Sequence, residues 1–173
     1  MVLKIAVDGY NLIRQSDELL HFESISLEEG RNGLIKLMAG YRRSMGHDIT
    51  VVFDGWESDN IGLSKERKEG IDIIYSGRGE RADEVIKRMS SDMRDALIVV
   101  SSDREIERHC VKNDTVVIAS SEFEARVRMR TGDIYYGNYE DDDDEGFRGR
   151  SKKGPARKLS KEERRKRSKL EKL

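Results

Sequence analysis

The chain has 173 residues, with 33 Lys+Arg against 34 Asp+Glu, so 39% of it is charged where a globular domain averages about 25%. The net charge of −1 hides three segments: residues 1–139 carry −5, residues 140–147 carry −6, and residues 148–173 carry +10. No apolar run approaches the roughly 20 residues that span a bilayer, the longest being residues 96–100. Asp8 also interrupts the amino terminus before a signal-type stretch forms. One cysteine, Cys110, permits neither an internal disulfide nor a Cys-rich zinc site, and a reducing cytoplasm is the expected compartment. His21, His47 and His109 have no metal-ligand spacing, so any metal here would be a hard, oxygen-liking one.

Residues 2–7, 49–53, 71–75, 96–100 and 115–118 are short β-branched or aliphatic runs of the kind that buried parallel strands show. Between them, apolar residues repeat at three and four: Leu34, Leu37, Met38, Tyr41 and Met45, then Ala82, Val85, Ile86 and Met89, then Ile106, Cys110 and Val111, then Phe123 and Val127. Five strands and four helices are therefore expected. Capping boxes pair Ser26 with Glu29, Ser102 with Glu105, and Ser121 with Glu124. Alternating strand and helix predicts an α/β fold, a parallel sheet covered on both faces. The stretch 55–70 has no apolar helix face and reads as a long loop or one short helical turn.

All eleven aromatics lie at or before Phe147, and residues 148–173 hold four apolar side chains. The expected organisation is one domain over 1–139, an acidic solvated linker over 140–147, and a basic tail over 148–173, disordered or a marginal helix.

The aspartates carry the chemical information. Asp8 follows the first strand, Asp54 follows the second, and Asp103 lies three residues beyond the fourth, in the expected first turn of its helix. Those carboxyl ends are where ligands bind an open α/β sheet. Asp83 opens the helix after the third strand; on a helical wheel it lies at the edge of the apolar face, while Glu84 points away, so Asp83 is the expected inward acid. Each position alone also fits ordinary turn or helix-start chemistry. Together the acids would repel one another by roughly 3 kcal/mol per pair at about 5 Å and an effective dielectric near 20. Protonation or divalent cations would offset this, and Mg²⁺ or Mn²⁺ suits an all-oxygen site that performs phosphodiester hydrolysis.

Through Asp8-Gly9-Tyr10-Asn11-Leu12-Ile13, Val52-Phe53-Asp54-Gly55, Glu80-Arg81-Ala82-Asp83-Glu84 and Ser101-Ser102-Asp103, the chain resembles the NYN domain family. These are relatives of PIN-domain and flap nucleases, and the resemblance is to the bacterial YacP-like branch, over about residues 3–130. It implies a five-stranded parallel sheet in the order 3-2-1-4-5 and a metal-dependent endoribonuclease using Mg²⁺ or Mn²⁺. Asp8, Asp83 and Asp103 match the family's metal-binding acids, Asp54 stands as a further candidate ligand, and Asn11 matches a motif asparagine placed to orient the first carboxylate or a metal-bound water.

The expected substrate is single-stranded or loop RNA, in mRNA decay or RNA processing at the ribosome. Arg78, Arg81, Lys87 and Arg104 flank the acids and are candidate phosphate contacts, a solvated charged rim being an equal reading for each, while Tyr10 and Trp56 are candidate stacking residues, with packing in its loop the expected role of Tyr10. In the tail, Lys152, Lys153, Arg157, Lys158, Arg164, Arg165 and Arg167 would gain affinity for a polyanion by counterion release, and a large RNA assembly such as the ribosome fits that charge. Two other functions share these features: a non-catalytic RNA-binding adaptor and a PIN-type toxin ribonuclease.

Overall fold

The computed structural model describes residues 2–55, 62–132 and 161–173. The chain divides into two compact units, Met1–Asp133 and Ile134–Leu173. The acidic run over 140–147 and the expected domain end at residue 139 lie outside the described residues, as do Trp56, Lys152, Lys153, Arg157 and Lys158. In the second unit, one helix covers Lys161–Leu170 and exposes Arg164, Arg165 and Arg167. No helix among the described residues is long and apolar enough to cross a membrane.

The first unit is a three-layer α/β structure. Its strands are β1 (Lys4–Asp8), β2 (Asp48–Phe53), β3 (Ser64–Lys68), β4 (Ile71–Tyr75), β5 (Leu97–Val100) and β6 (Val116–Ile118). They form one sheet in the order β3-β4-β2-β1-β5-β6. Five of them are parallel and reproduce the expected 3-2-1-4-5 arrangement.

The sixth strand corrects the long-loop reading of 55–70. Ser64–Lys68 runs antiparallel to β4 at the sheet edge, in register from Ser64 opposite Tyr75 to Lys68 opposite Ile71. Its sequence, SKERK, has no apolar alternation because it lies at the edge, largely exposed. The two-residue turn carries φ of 52° at Glu69 and 84° at Gly70, the left-handed pair that matches hairpin twist. Arg67 pairs with Asp72 across the ladder, and charged side chains on an edge discourage further strand addition.

The helices of the first unit are α1 (Gly9–Gln15), α2 (Asp17–Ile25), α3 (Leu27–Met45), α4 (Ala82–Met93), α5 (Arg104–Lys112) and α6 (Ser120–Thr131). The expected four are α3 to α6; α1 and α2 are additional. One short helix directly follows β1, and Ser16 both ends it and caps the next, accepting from Leu19 N–H. Ser26 caps α3 as its capping box predicts. The other two boxes differ: Asp103, not Ser102, caps α5, and α6 begins at Ser120 after Ala119 with no side-chain cap.

Alternate strand residues face opposite layers. Ala6, Val52, Leu97, Val99 and Val117 pack with Ala82, Val85 and Ile86 of α4 and Ile106 and Cys110 of α5. On the other face α3 lies over β2 and β4 and meets α6, with Tyr41 edge-on to Phe123. A parallel sheet buried on both faces explains the continuous apolar runs in β1, β2 and β5.

Two glycines set how closely the elements around the sheet edge approach. A Cβ at Gly9 would lie 2.3 Å from the Phe53 ring, and one at Gly55 would lie 2.0 Å from the Ser76 carbonyl oxygen. The first clash is with a fully buried ring, so Gly9→Ala should destabilise the protein by about 1–3 kcal/mol. Part of that cost should disappear when Phe53 is leucine. A double-mutant cycle in urea should therefore show coupling above about 0.5 kcal/mol; additive effects would mean that α1 shifts to make room.

Candidate functional site

Asp8, Asn11, Asp54, Asp83 and Asp103 line one cavity of about 310 Å³ at the carboxyl edge of the sheet, together with Tyr10, Arg14, Gln15, Arg81 and Ala82. Each acid is positioned by a helix start. Asp8 ends β1 and is the N-cap of α1, its Oδ1 accepting from Asn11 N–H at 3.4 Å. Asp103 is the N-cap of α5, its Oδ1 accepting from Glu105 N–H at 2.6 Å and Ile106 N–H at 3.4 Å. Arg81 precedes α4 without capping it by its side chain, and Asp54, from the end of β2, accepts the Ala82 N–H at 2.7 Å instead. The turn or helix-start reading of these residues and the site reading are thus compatible, since Asp8, Asp54 and Asp103 each use one oxygen to hold backbone amides.

A polar network joins the loops. Ser101 is buried after β5; its hydroxyl donates to Asp8 Oδ2 at 2.9 Å and accepts the Asp103 N–H at 3.1 Å. Asn11 Oδ1 accepts from Ser102 N–H at 2.9 Å and Ser120 Oγ at 2.7 Å. A backbone N–H can only donate, so the oxygen of the amide is turned to that side. The Asn11 amide nitrogen is the donor left for the cavity. Ser102 Oγ donates to Gln15 Oε1 and accepts from Ser120 N–H, so it ties α1 to α6 rather than capping α5.

Asp8 is raised from 3.8 to about 6, chiefly because burial penalises its charged form; hydrogen bonds from Ser101 and Asn11 oppose the shift, and the neighbouring Asp54 and Asp103 charges add to it. Asp83 is 12% exposed, and among the described residues its Oδ1 has no hydrogen-bond donor although Arg81 Nε stands 3.4 Å away. At that separation the arginine supplies charge but not a directed bond. Glu84, as the helical wheel implies, is largely exposed.

The basic and aromatic candidates divide. Arg81 lies on the cavity rim, 76% exposed, whereas Arg78 and Arg104 are exposed outside its lining. Lys87, a candidate phosphate contact or solvated rim charge, is instead enclosed at 11% exposure by Asp83, Glu84 and Glu105, because its position one turn after Asp83 brings the chain back over the helix start. Tyr10, a candidate stacking residue whose expected role is packing, is buried against Phe53 with ring centroids 5.3 Å apart, and its hydroxyl accepts from Arg31 Nε at 2.7 Å. Arg14, which the sequence reading does not single out, stands 65% exposed on the rim with its guanidinium over the Tyr10 ring. Reading Asp8 as an N-cap would have found it, since Asn11, Arg14 and Gln15 then share one helical face.

The Asp8 shift has a stability consequence. Its folded pKa lies above the unfolded value, so the folded state holds the extra proton between about pH 3.8 and 6, and stability falls as pH rises through that window. Asp8→Asn removes the penalty. In EDTA, the variant should exceed the parent by about 1–3 kcal/mol at pH 7.5 and by little at pH 3.5, from the roughly 1.36 kcal/mol carried by each pKa unit less the lost charge-assisted bonds. Urea unfolding at both pH values checks this, and a difference independent of pH would refute it.

The YacP-like NYN domain family matches residues 5–172, a span that includes most of the basic segment and so extends beyond the 3–130 stretch in which the motifs lie. YacP of Bacillus subtilis (strain 168) is 33% identical over 86 residues, which is 50% of this chain and 50% of that protein. The chain thus matches only half the length of that relative. The crystal structure of Rae1 (YacP) from Bacillus subtilis superposes with a TM-score of 0.64 at 26% identity, covering 78% of each chain. The structure of a tryptophan-to-leucine mutant of Rae1 gives 0.63 at 24%, covering 76% of this chain and 79% of the other, a likeness of fold. The chain belongs to the YacP-like NYN domain family.

Proposed function

We propose that this protein is a metal-dependent endoribonuclease that hydrolyses phosphodiester bonds in single-stranded or loop RNA. The observation that carries the reading is the convergence of Asp8, Asp54, Asp83 and Asp103 on one cavity whose rim bears Arg14 and Arg81. Family membership supports the same chemistry, NYN domains being relatives of PIN nucleases.

The donor set fits a hard divalent cation. Every acidic group is an oxygen ligand, Asp83 keeps a buried oxygen without a hydrogen-bond donor, and burial disfavours the Asp8 charge until a cation compensates it. Asp8, Asp83 and Asp103 would hold Mg²⁺ or Mn²⁺, with Asp54 at the margin because one of its oxygens is committed to α4. Bound there, such an ion supplies positive charge to the phosphate oxygens and lowers the pKa of an attacking water.

The protein's own groups do the rest. Arg14 and Arg81 stand on the exposed rim, where guanidinium groups meet the phosphates of an entering strand. Asn11 offers an amide donor towards a phosphate oxygen. Ser101 keeps Asp8 and the start of α5 at a set separation, so the acids do not need to be gathered when substrate arrives.

The test is cleavage of labelled RNA, with single-stranded DNA of the same sequence beside it, in Mn²⁺, Mg²⁺ or EDTA. RNA should be cut internally in either metal and remain intact in EDTA. Asp8→Asn, Asp83→Asn and Asp103→Asn should each lower the rate at least 100-fold while the protein stays folded. Normal cutting by all three at limiting metal would exclude this site, and RNA binding without cleavage in any metal would favour an adaptor.

The basic segment is proposed to supply affinity without chemistry, for an RNA assembly such as the ribosome. Removing residues 148–173 should weaken RNA binding and flatten its salt dependence, each lost phosphate contact reducing the slope of log K by about 0.7 on single strands. The cleavage rate at saturating RNA should change less than twofold. Equal salt slopes would show that the segment does not touch RNA.

A further inference from the structure

Among the described residues, the three carboxylates that gather with oxygens within 4.8 Å of one another are Asp83, Glu84 and Glu105, so Asp83 alone of the cavity aspartates takes part. Lys87 fills the space between them. Its Nζ lies 3.3 Å from Asp83 Oδ2, 3.1 Å from Glu84 Oε1 and 2.5 Å from Glu105 Oε1, so the three N–H donors of the ammonium meet three acceptors.

The oxygens stand at ammonium distances from Nζ, 2.5 to 3.3 Å, whereas Mg²⁺ holds its ligand oxygens at about 2.0–2.1 Å. Nor does Lys87 reach solvent-side phosphates, since its side chain is 11% exposed.

The same contact acts on the cavity. Asp83 uses Oδ2 for Lys87, and Oδ1 is the oxygen left without a donor. Glu105 belongs to the first turn of α5, whose N-cap is Asp103. One ammonium therefore links the helix starts that carry Asp83 and Asp103.

We propose that Lys87 is a positioning residue, a resident counter-ion that closes the Asp83, Glu84 and Glu105 cluster to divalent cations and presents Asp83 Oδ1 to the catalytic cavity. The part concerning catalysis rests on the nuclease reading; the part concerning cation binding does not. Without the ammonium, the three carboxylates are free to contract onto a divalent ion, and Asp83 is drawn out of the cavity.

The experiment uses the full chain and Mn²⁺ alone as the first probe. Titration should give one more bound ion in Lys87→Met than in the parent, an ion lost again in the Lys87→Met, Glu105→Gln double variant. With labelled RNA at saturating Mn²⁺, Lys87→Met should lower kcat 10- to 100-fold, the range for groups that orient metal ligands, with KM within twofold. Lys87→Arg, which keeps the charge, should keep the parental ion count and at least one third of kcat. If the methionine variant does not fold, Lys87→Gln serves, because it too removes the charge. An unchanged ion count together with parental kcat would overturn the proposal, as would Lys87→Arg behaving like the neutral variants. A rise in KM at constant kcat would return Lys87 to the role of phosphate contact and also overturn it. If the parent cuts no RNA, the nuclease reading fails, while the Mn²⁺ count still decides whether Lys87 closes the cluster.

Discussion

Four aspartates brought to one edge of a sheet repel each other, and the rest of the structure is arranged around that repulsion. The amino ends of α1, α4 and α5 all point at the cavity, and Asp8, Asp54 and Asp103 each accept backbone N–H groups there. Helix starts carry partial positive charge and orphan amides, so each carboxylate satisfies a helix while the helix stabilises the carboxylate. Asp83 has no such amide. It depends on the side chains of Arg81 and Lys87, which makes it the acid whose placement is set by charge.

Helix starts seat the acids only if the loops that lead into them stay close together. Gly9 allows α1 to begin against Phe53, and Gly55 lets the chain leaving β2 pass the Ser76 carbonyl. Ser101, Asn11, Ser102 and Ser120 then lace the loops after β1, β5 and β6 by short hydrogen bonds. Each is a small polar group with a buried or half-buried partner, and such a network rigidifies only when its members are satisfied together. The cavity is therefore built on loops that are already tied to one another by hydrogen bonds.

The parallel core was legible because buried strands and amphipathic helices leave strong periodic signals, and the aspartates were legible because they stand next to those strands. What escaped reading has equally physical causes. Strand β3 is polar on both faces at an edge, so alternation says nothing about it. Helix α1 has seven residues, too few for a periodic stripe, and its start hides inside a motif that also reads as a turn. Lys87 looks like any surface lysine until the fold brings Glu105, eighteen positions away, against it. The caps of α5 and α6 depend on which hydroxyl the neighbouring loop claims, and for Ser102 and Ser120 that neighbour is Asn11 or Gln15, about ninety or more positions earlier in the chain.

Charge in the finished cavity also orders binding under the proposed function. Its lining carries four carboxylates and two guanidinium groups, a net of −2 when Asp8 is ionised, and the Lys87 charge behind Asp83 is shared with Glu84 and Glu105. A bare cavity of that sign repels a phosphodiester at short range. One divalent cation brings the lining to neutrality, and a second makes it attractive, while the exposed Arg14 and Arg81 draw the strand to the rim in either case. Lowering the pH towards 6 protonates Asp8 and reduces the repulsion, yet it also removes a ligand. RNA held at the rim and RNA held for cleavage are thus electrostatically distinct states, the first needing only the arginines and the second needing the acids to be charged and compensated at once.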